Sequence, residues 1–335
     1  MNASWRRCVH ESPSARDDRS VRMIATVTLN PSLDEWVTLP ALRLGSLNRA
    51  SGFRRYPGGK GINVSRVVHE LRGRTKAFAL AGGEDGHILQ TLLQQLSIPY
   101  AFVHLAAGST RNNYKIVTGP PRALTEINTA GPRVTSRALQ ALARRLLTTR
   151  PRPTCVVLSG SLPPGAPSSI YHHWIIRLRR QGIPSVLDTS GTALRDGLLA
   201  RPWLIKPNRQ EAEELLQERL STMARAVTGV KRLVRRGPTL AILSLGAKGA
   251  LLACANPHGV WWARPPTVRV DSAVGAGDSL VGGFLTGWAR GDSLLEAFRL
   301  GVASGTATAL TPGTELCHRV DVQRLLLRLT VRRLA

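Results

Sequence analysis

The 335-residue sequence is short of long apolar runs and of paired cysteines, and each shortage excludes a class of protein. No uncharged apolar stretch reaches the ~18 residues that a membrane-spanning helix needs, so no membrane partner is expected. The four cysteines have no C-x-x-C spacing, which argues against a zinc site and a disulfide framework; they stand at positions 8, 155, 254 and 317. A reduced, cytoplasmic setting is therefore expected.

Acidic residues and lysines are also scarce, whereas arginine is abundant. The chain has 46 Lys and Arg against 21 Asp and Glu, a net charge of +25, and only six of the cations are lysine. Charge of this size favours a polyanionic partner, and a basic nucleic-acid-binding protein remains an alternative. However, the arginines are spread over helix faces without an aromatic-interleaved or zinc-finger pattern. We therefore expect a solvated basic surface and no specific nucleic-acid partner.

The first 22 residues differ in composition from the rest of the chain. They are polar, carry both charge signs and lack the apolar segment of a secretory signal, so a disordered N-terminal extension is predicted. From Met23 to the end at residue 335, the composition is that of a globular domain, with 43% hydrophobic residues in the whole chain.

Short apolar runs alternate with helical patterns from Met23 onward, which predicts βαβ units and a mainly parallel sheet. The runs are continuous, as in strands buried on both faces, and lie at 24–29, 77–80, 155–158, 185–187, 203–205 and 240–243. Helices are predicted at 61–71, 136–147, 169–180, 210–215, 224–235, 277–290 and 294–310. Two shorter, more polar segments, near 34–56 and 100–126, predict a small β lid beside the sheet.

Polar residues follow five of these runs, at 28–30, 159–161, 188–190, 206–208 and 244–246. In an open α/β sheet the carboxyl ends of parallel strands meet at one edge, where such folds bind ligands. Polar residues after one strand would be typical of any loop, but their presence after five strands predicts a binding site.

The segment DSAVGAGDS, residues 271–279, precedes an apolar helix rich in small residues. Gly275 and Gly277 allow close backbone approach, and a helix N-terminus presents free N–H groups to an anion. Asp278 has two interpretations at this stage: a helix cap, or a general base beside a bound phosphate.

Two segments together resemble the signatures of ribokinase-like (PfkB) carbohydrate kinases. GAGDSLVGGF, at 275–284, resembles the C-terminal signature, and YPGGKGINVS, at 56–65, resembles the N-terminal one. The resemblance covers about residues 23–329. It implies a three-layer α/β ribokinase-like fold with helices on both faces of a mainly parallel sheet, a small β lid, and ATP-dependent phosphorylation of a sugar.

Other segments resemble particular subgroups of that family. Those at 28–34, 110–113, 159–165 and 206–211 are similar to phosphofructokinases and tagatose-6-phosphate kinases, and the tail at 313–317 to phosphofructokinase-B. Lys60 and the segment at 125–128 are more similar to 1-phosphofructokinases. The preferred implied reaction is the phosphorylation of fructose 6-phosphate to fructose 1,6-bisphosphate. The alternatives are the reactions of 1-phosphofructokinase and of tagatose-6-phosphate kinase. A homodimer is expected.

The resemblance also implies roles for individual residues on the acceptor side. Asp278 would be the general base, with the N–H groups of Gly275, Ala276 and Gly277 as the anion hole. The sugar-binding residues would be Asp34, Gly59, Lys60 and Asn63. Arginine suits bidentate phosphate binding, so the phosphate already on the sugar would be held by Arg49, Arg111 and Ser161.

On the nucleotide side, the implied ATP-binding residues are Lys206, Asn208, Ser244, Gly246, Lys248 and Gly249. Glu211 would organise Mg²⁺, and a K⁺ ion would lie near Ser272, Val274 and Gly313. The sequence contains no G-x-x-x-x-G-K-[ST], which excludes a P-loop enzyme. A dinucleotide-binding oxidoreductase is disfavoured because no G-x-G-x-x-G follows the first strand.

Overall fold

A computed structural model describes residues 22–119, 123–256 and 258–334. The described residues form fourteen strands: β1 Met23–Thr28, β2 Ser32–Leu39, β3 Gly52–Gly58, β4 Arg74–Gly82, β5 Tyr100–Leu105, β6 Arg111–Thr118, β7 Ala123–Asn128, β8 Cys155–Ser159, β9 Ser185–Asp188, β10 Leu204–Ile205, β11 Leu240–Ser244, β12 Ala250–Cys254, β13 Gly259–Arg264 and β14 Thr330–Arg333.

Ten α-helices alternate with the strands in the same ranges: α1 Lys60–Glu70, α2 Gly83–Gln95, α3 Ser136–Leu147, α4 Ile170–Arg180, α5 Gly191–Leu198, α6 Arg209–Leu216, α7 Met223–Arg235, α8 Ala276–Arg290, α9 Leu294–Thr308 and α10 Arg319–Leu326. A 3-10 turn, Gly246–Lys248, follows β11. None of the helices in the described ranges is long and apolar enough to cross a bilayer.

Ten strands form the central sheet in the order β14-β13-β12-β11-β10-β9-β8-β1-β4-β5. The seven strands from β11 to β5 are parallel, whereas β12, β13 and β14 are antiparallel additions at one edge. Every residue of β1 and of β8 is buried, as expected of strands covered on both faces. The predicted three-layer α/β fold is confirmed.

Apolar side chains fill both faces of the sheet. One cluster packs α3 to α7 against it, and a second packs α1, α8, α9 and α10 against the other face. Small residues let these last helices approach closely: a Cβ on Gly282 of α8 would lie 2.7 Å from Val67 of α1, and one on Gly283 would overlap Ser304 of α9. The start of α8 is therefore held in a fixed place at the carboxyl edge of the sheet.

A second, four-stranded sheet has the order β3-β2-β6-β7 and contains most of the two segments predicted as a lid. The second segment differs from the prediction in its first part, because β5 pairs with β4 at the edge of the central sheet. Only Phe102 and Val103 of β5 are buried, which explains its weak apolar pattern.

The predicted extension, residues 1–22, lies outside the described residues except for its last member. Arg22 donates from Nη1 to the carbonyl oxygen of Ala289 at 3.1 Å. This residue therefore belongs to the folded domain.

Candidate functional site

A polar cavity of about 640 Å³ opens between the carboxyl ends of the parallel strands and the four-stranded sheet. It contains most of the predicted site: its walls include Asp34, Gly59, Lys60, Asn63, Arg111, Ser161, Lys206, Asn208, Glu211, Ser244, Val274, Gly275, Gly277 and Asp278. Residues from distant parts of the chain thus meet at one place, as the strand-end pattern predicts.

Asp278 lies in the first turn of α8 and is buried. Asn63 Nδ2 donates to its Oδ2 at 2.8 Å. Burial, with the nearby negative charge of Asp188, raises the pKa of Asp278 to about 6, against the opposing effects of Lys60, the Asn63 hydrogen bond and Lys206. Such a carboxylate is ionised at neutral pH and is more basic than an exposed aspartate, which suits it to accept a proton.

Gly275 precedes α8 and has the left-handed conformation, with φ 80°, that glycine adopts without strain. A side chain there would also overlap Leu316. The first N–H groups of an α-helix have no carbonyl partner within the helix, and Gly275, Gly277 and Asp278 of this turn line the cavity. The Ala276 N–H also donates to the Ala273 carbonyl oxygen at 3.3 Å. Lys206 lies against the same turn, since a Cβ on Gly277 would be 3.1 Å from its Nζ. Helix N-terminus and ammonium together can hold a transferring phosphoryl group.

A buried carboxylate, Asp188 at the end of β9, joins two of the predicted lysines. Lys60 Nζ lies 3.0 Å from its Oδ1 and Lys206 Nζ lies 3.5 Å from its Oδ2. Burial opposes ionisation of Asp188, but Lys206 and Lys60 outweigh it and lower the pKa. Burial likewise opposes charge on Lys60, but Asp188, Asp278 and Glu211 raise its pKa. Lys60 therefore stays charged beside Asp278, and Lys206 lies on the other oxygen of Asp188.

The sequence provided no role for Asp188, although it is one of the polar residues that follow a strand. Its signal was its position directly after an apolar run. What the sequence could not indicate was that two lysines, 128 and 18 positions away along the chain, converge on it.

Asp34, on β2, forms the part of the cavity wall opposite the sheet. Its Oδ1 accepts from Ser32 Oγ at 2.9 Å and from Asn113 Nδ2 at 3.2 Å. These donors fix the carboxylate on the four-stranded sheet, where it can accept hydrogen bonds from sugar hydroxyls. Asn113, which the sequence did not single out, also lines the cavity.

Arg111, at the start of β6, has a buried N–H group that makes no hydrogen bond in the structure. Its Nη1 donates to the Thr129 carbonyl oxygen at 3.2 Å, while its Nε is buried without a hydrogen-bond partner. Burial, only partly offset by Asp34, lowers the pKa of Arg111. Beside it, Asn30 donates to Ser161 Oγ at 3.4 Å. A guanidinium and a hydroxyl at one wall of the cavity suit a phosphate group.

The other wall at this end is formed by Lys115 on β6 and Glu126 on β7. Their Nζ and Oε2 atoms are 3.1 Å apart, and Lys115 is almost fully buried. Both residues line the cavity together with Asn128.

Seven predicted residues lie outside the cavity wall: Arg49, Gly246, Lys248, Gly249, Ser272, Ala276 and Gly313. Arg49 is exposed in the loop between β2 and β3, and Gly246 and Lys248 form the exposed 3-10 turn after β11. Gly249 has a packing reason for being glycine, because a Cβ would overlap the Ala263 carbonyl oxygen. Gly313 faces a neighbouring cavity lined by Trp36 and Tyr56.

The metal-related predictions have local structural roles as well. Glu211 forms a capping box with Asn208, in which each side chain accepts from the other residue's backbone N–H at 2.8 Å. Ser272 Oγ accepts from the Val274 N–H at 3.3 Å. No group of three His, Cys, Asp or Glu residues in the described ranges could by itself hold a metal ion.

The chain is similar to proteins of one family over most of its length. The family model described as "pfkB family carbohydrate kinase" matches residues 27–320. The 1-phosphofructokinase of Bacillus subtilis is 39% identical over 93% of this chain and all of its own length. ATP-dependent 6-phosphofructokinase isozyme 2 of Mycobacterium tuberculosis is 35% identical over 93% of this chain and 91% of its own.

A solved structure gives the same result. Phosphofructokinase-2 from Escherichia coli in complex with potassium superposes with a TM-score of 0.86 and 33% identity, over 92% of this chain and 99% of the other. Another structure of that protein is of a tetrameric inhibited form. The present chain belongs to the PfkB family of carbohydrate kinases and is a phosphotransferase with an alcohol acceptor.

Proposed function

We propose that this protein transfers the γ-phosphoryl group of ATP to the free primary hydroxyl of a fructose monophosphate. The observation that carries the proposal is the Asp278 carboxylate, buried at the helix N-terminus that follows Gly275 and flanked by Lys60 and Lys206. It is supported by the unpaired donor of Arg111 at the opposite end of the same cavity.

In the proposed reaction, Asp278 accepts the proton of the acceptor hydroxyl as its oxygen attacks the γ-phosphorus. A new P–O bond forms to the sugar, the bond to the β-phosphate oxygen breaks, and ADP leaves. The N–H groups of Gly275, Ala276 and Gly277, with Lys206, stabilise the charge on the transferring group. Lys206, Asn208 and Ser244 would bind the nucleotide, with Gly246, Lys248 and Gly249 at the mouth of the site.

Mg²⁺ would neutralise the phosphate charge of the nucleotide, as it does in phosphoryl transfer generally. Glu211 is the cavity-lining carboxylate that would help to hold this ion. Its Oε2 accepts in the capping box and its Oε1 lies 3.9 Å from Lys60 Nζ. Removal of Mg²⁺ by a chelator should abolish turnover.

A monovalent cation is proposed beside the turn formed by Ser272, Val274 and Gly313. The hydroxyl oxygen of Thr314, the next residue, is buried without a hydrogen-bond partner, which fits a ligand oxygen. Comparison of kcat in potassium and tetramethylammonium salts tests this assignment.

Two fructose phosphates are candidates for the acceptor, and both yield fructose 1,6-bisphosphate. The segments that resemble 1-phosphofructokinases supply Lys60, Glu126 and Asn128 to the cavity wall. The tail that resembles phosphofructokinase-B lies beside another cavity, through Gly313. Segments similar to phosphofructokinases and tagatose-6-phosphate kinases also line the cavity, through Asp34, Arg111 and Ser161. Fructose 6-phosphate therefore stays the first acceptor to test, with fructose 1-phosphate as the alternative. Tagatose 6-phosphate is the third acceptor to compare.

We further propose that the four-stranded sheet acts as a lid and as the contact surface of a homodimer. It carries a group of exposed apolar side chains with its β2–β3 loop, including Leu44, Leu47, Phe53 and Ile127. Light scattering of the wild type and of Phe53→Arg would test the dimer. A reduced cytoplasmic setting fits the buried thiols of Cys155 and Cys317, whose pKa values burial raises.

The decisive experiment is a coupled ADP-release assay with fructose 1-phosphate, fructose 6-phosphate and tagatose 6-phosphate, using Asp278→Asn as the inactive control. Turnover of one fructose phosphate that Asp278→Asn abolishes supports the proposal. Turnover of unphosphorylated sugars alone, or salt-sensitive DNA binding without ATP turnover, contradicts it.

A further inference from the structure

Arg66, on α1, is a half-buried cation that does not line the catalytic cavity. Burial lowers its pKa to about 10, although Asp34, Tyr56, Cys317 and Glu315 act in the opposite direction. Its four hydrogen-bond acceptors in the described structure are neutral oxygens. Such a costly placement of a charge calls for a reason beyond solubility.

Its guanidinium joins β3 to the loop between α9 and α10. Nη2 donates to the carbonyl oxygens of Thr314 at 2.9 Å and Glu315 at 3.3 Å. Nη1 donates to the carbonyl oxygen of Pro57 at 3.2 Å and to Asn63 Oδ1 at 3.3 Å. The last contact connects Arg66 to the catalytic residue, because Asn63 also donates to Asp278.

The chemistry of the three groups permits one orientation of the Asn63 amide. Guanidinium has only donors, and ionised carboxylate has only acceptors. The amide oxygen must therefore face Arg66 and the amide nitrogen must face Asp278. In the flipped orientation both contacts would become repulsive.

We propose that Arg66 is a positioning residue that fixes the Asn63 amide so that it donates to Asp278. The Asn63 N–H then holds Asp278 Oδ2, which leaves Oδ1 free to accept the proton of the acceptor hydroxyl. This proposal rests on the assignment of Asp278 as the general base in the proposed function.

A double-mutant cycle on kcat tests whether Arg66 acts through Asn63. Arg66→Met should lower kcat about tenfold when Asn63 is present, but less than about twofold in an Asn63→Ala background, because interacting residues are not additive. The KM for ATP should stay within about twofold. Arg74→Met, which replaces an exposed arginine on β4, is the matched control and should change neither value.

The pH dependence of kcat distinguishes a positioning role of Arg66 from a purely structural one, which would leave the profile unchanged. The groups that face Asp278 are Asn63, Asp188, Lys60 and Lys206. The Asn63 hydrogen bond favours the ionised form of Asp278 and so lowers its pKa. Loss of this bond in Arg66→Met and in Asn63→Ala should therefore shift the acidic limb of the kcat profile to higher pH by about half a unit. The limb should not move in Arg74→Met.

Independent, multiplying effects of Arg66→Met and Asn63→Ala, or an unshifted acidic limb, would overturn the proposal. If Arg66→Met does not fold, the cycle with Arg66→Lys is read in the same way, since one ammonium cannot reproduce the four contacts. If neither variant folds, Arg66 is a structural residue and the proposal fails. An Asp278→Asn enzyme that is still active would instead overturn the assignment of Asp278 as the general base, on which the proposed function and this proposal both rest.

Discussion

The two ends of the catalytic cavity differ in whether their polar side chains are already paired. At the α8 end, Lys60 of α1 and Lys206, which follows β10, both pair with Asp188 at the end of β9. At the end formed by the four-stranded sheet, three cavity-lining side chains have a polar atom buried without a hydrogen-bond partner: Asn30 Oδ1, Arg111 Nε and Asn113 Oδ1. Since buried polar atoms are nearly always hydrogen-bonded, unpaired ones that line a cavity mark where the polar groups of a ligand can bind.

The difference indicates a division of labour. Paired charges at the α8 end set the electrostatics of phosphoryl transfer in advance, as preorganised sites do. Unpaired groups at the other end become satisfied only when an acceptor binds. Substitutions at the first end should therefore change mainly kcat, and substitutions at the second mainly KM.

The largest effect is expected for Asp278→Asn at the α8 end. Loss of a general base should lower kcat by roughly 10² or more while both KM values change little. Steady-state kinetics with each substrate varied in turn measure this. A variant with wild-type kcat would show that Asp278 is not the general base.

Arg111→Ala tests the other end of the cavity. Loss of a charge-assisted contact should raise the KM for the sugar phosphate by roughly thirtyfold, or about 2 kcal/mol, and leave the KM for ATP unchanged. Arg137→Ala, at an exposed position on α3, is the control for loss of one arginine. An unchanged sugar-phosphate KM would mean that Arg49 or Lys115 should be examined as the anchor.

A smaller effect, on pH dependence, is expected at the α8 end. The wild-type kcat should fall as the pH drops through about 6, because protonated Asp278 cannot accept a proton. Lys60 lowers the pKa of Asp278, so Lys60→Met should move this acidic limb to higher pH. Measurement of kcat from pH 5 to pH 9 in both enzymes checks the direction. A limb that moves to lower pH in the variant would contradict the electrostatic account.

Much of the parallel sheet was predictable because its strands are buried on both faces. The continuous runs of β1, β8 and β11 differ clearly from their surroundings, and α3 was predicted with its observed bounds, Ser136–Leu147. The antiparallel strands β12, β13 and β14 were not predicted. β14 pairs with β13 across α8, α9 and α10, a contact that local sequence does not encode, whereas β12 and β13 follow β11 directly as hairpins.

Three helices, α2, α5 and α10, were not predicted because their apolar patterns are weak or short. In α2 only three residues are buried, Gly86, Leu89 and Leu93, so its apolar period is weak. α5 and α10 have eight residues each, too few for a clear helical repeat. For the site, motif residues such as Asp278 and Asn63 were predicted to share a pocket. The roles of Asp188 and Arg66 depend on contacts between distant segments.

The glycines of α8 have a consequence for how the active site responds to mutation. Gly282 and Gly283 lie in the middle of the helix, away from any substrate, yet α1 and α9 leave no room for a methyl group at either position. A larger residue would have to displace the whole helix, and Asp278, in its first turn, would move with it. Because a displacement of about 1 Å at a reacting group can cost on the order of 10² in rate, substitutions in the middle of α8 should behave kinetically like substitutions at its catalytic tip.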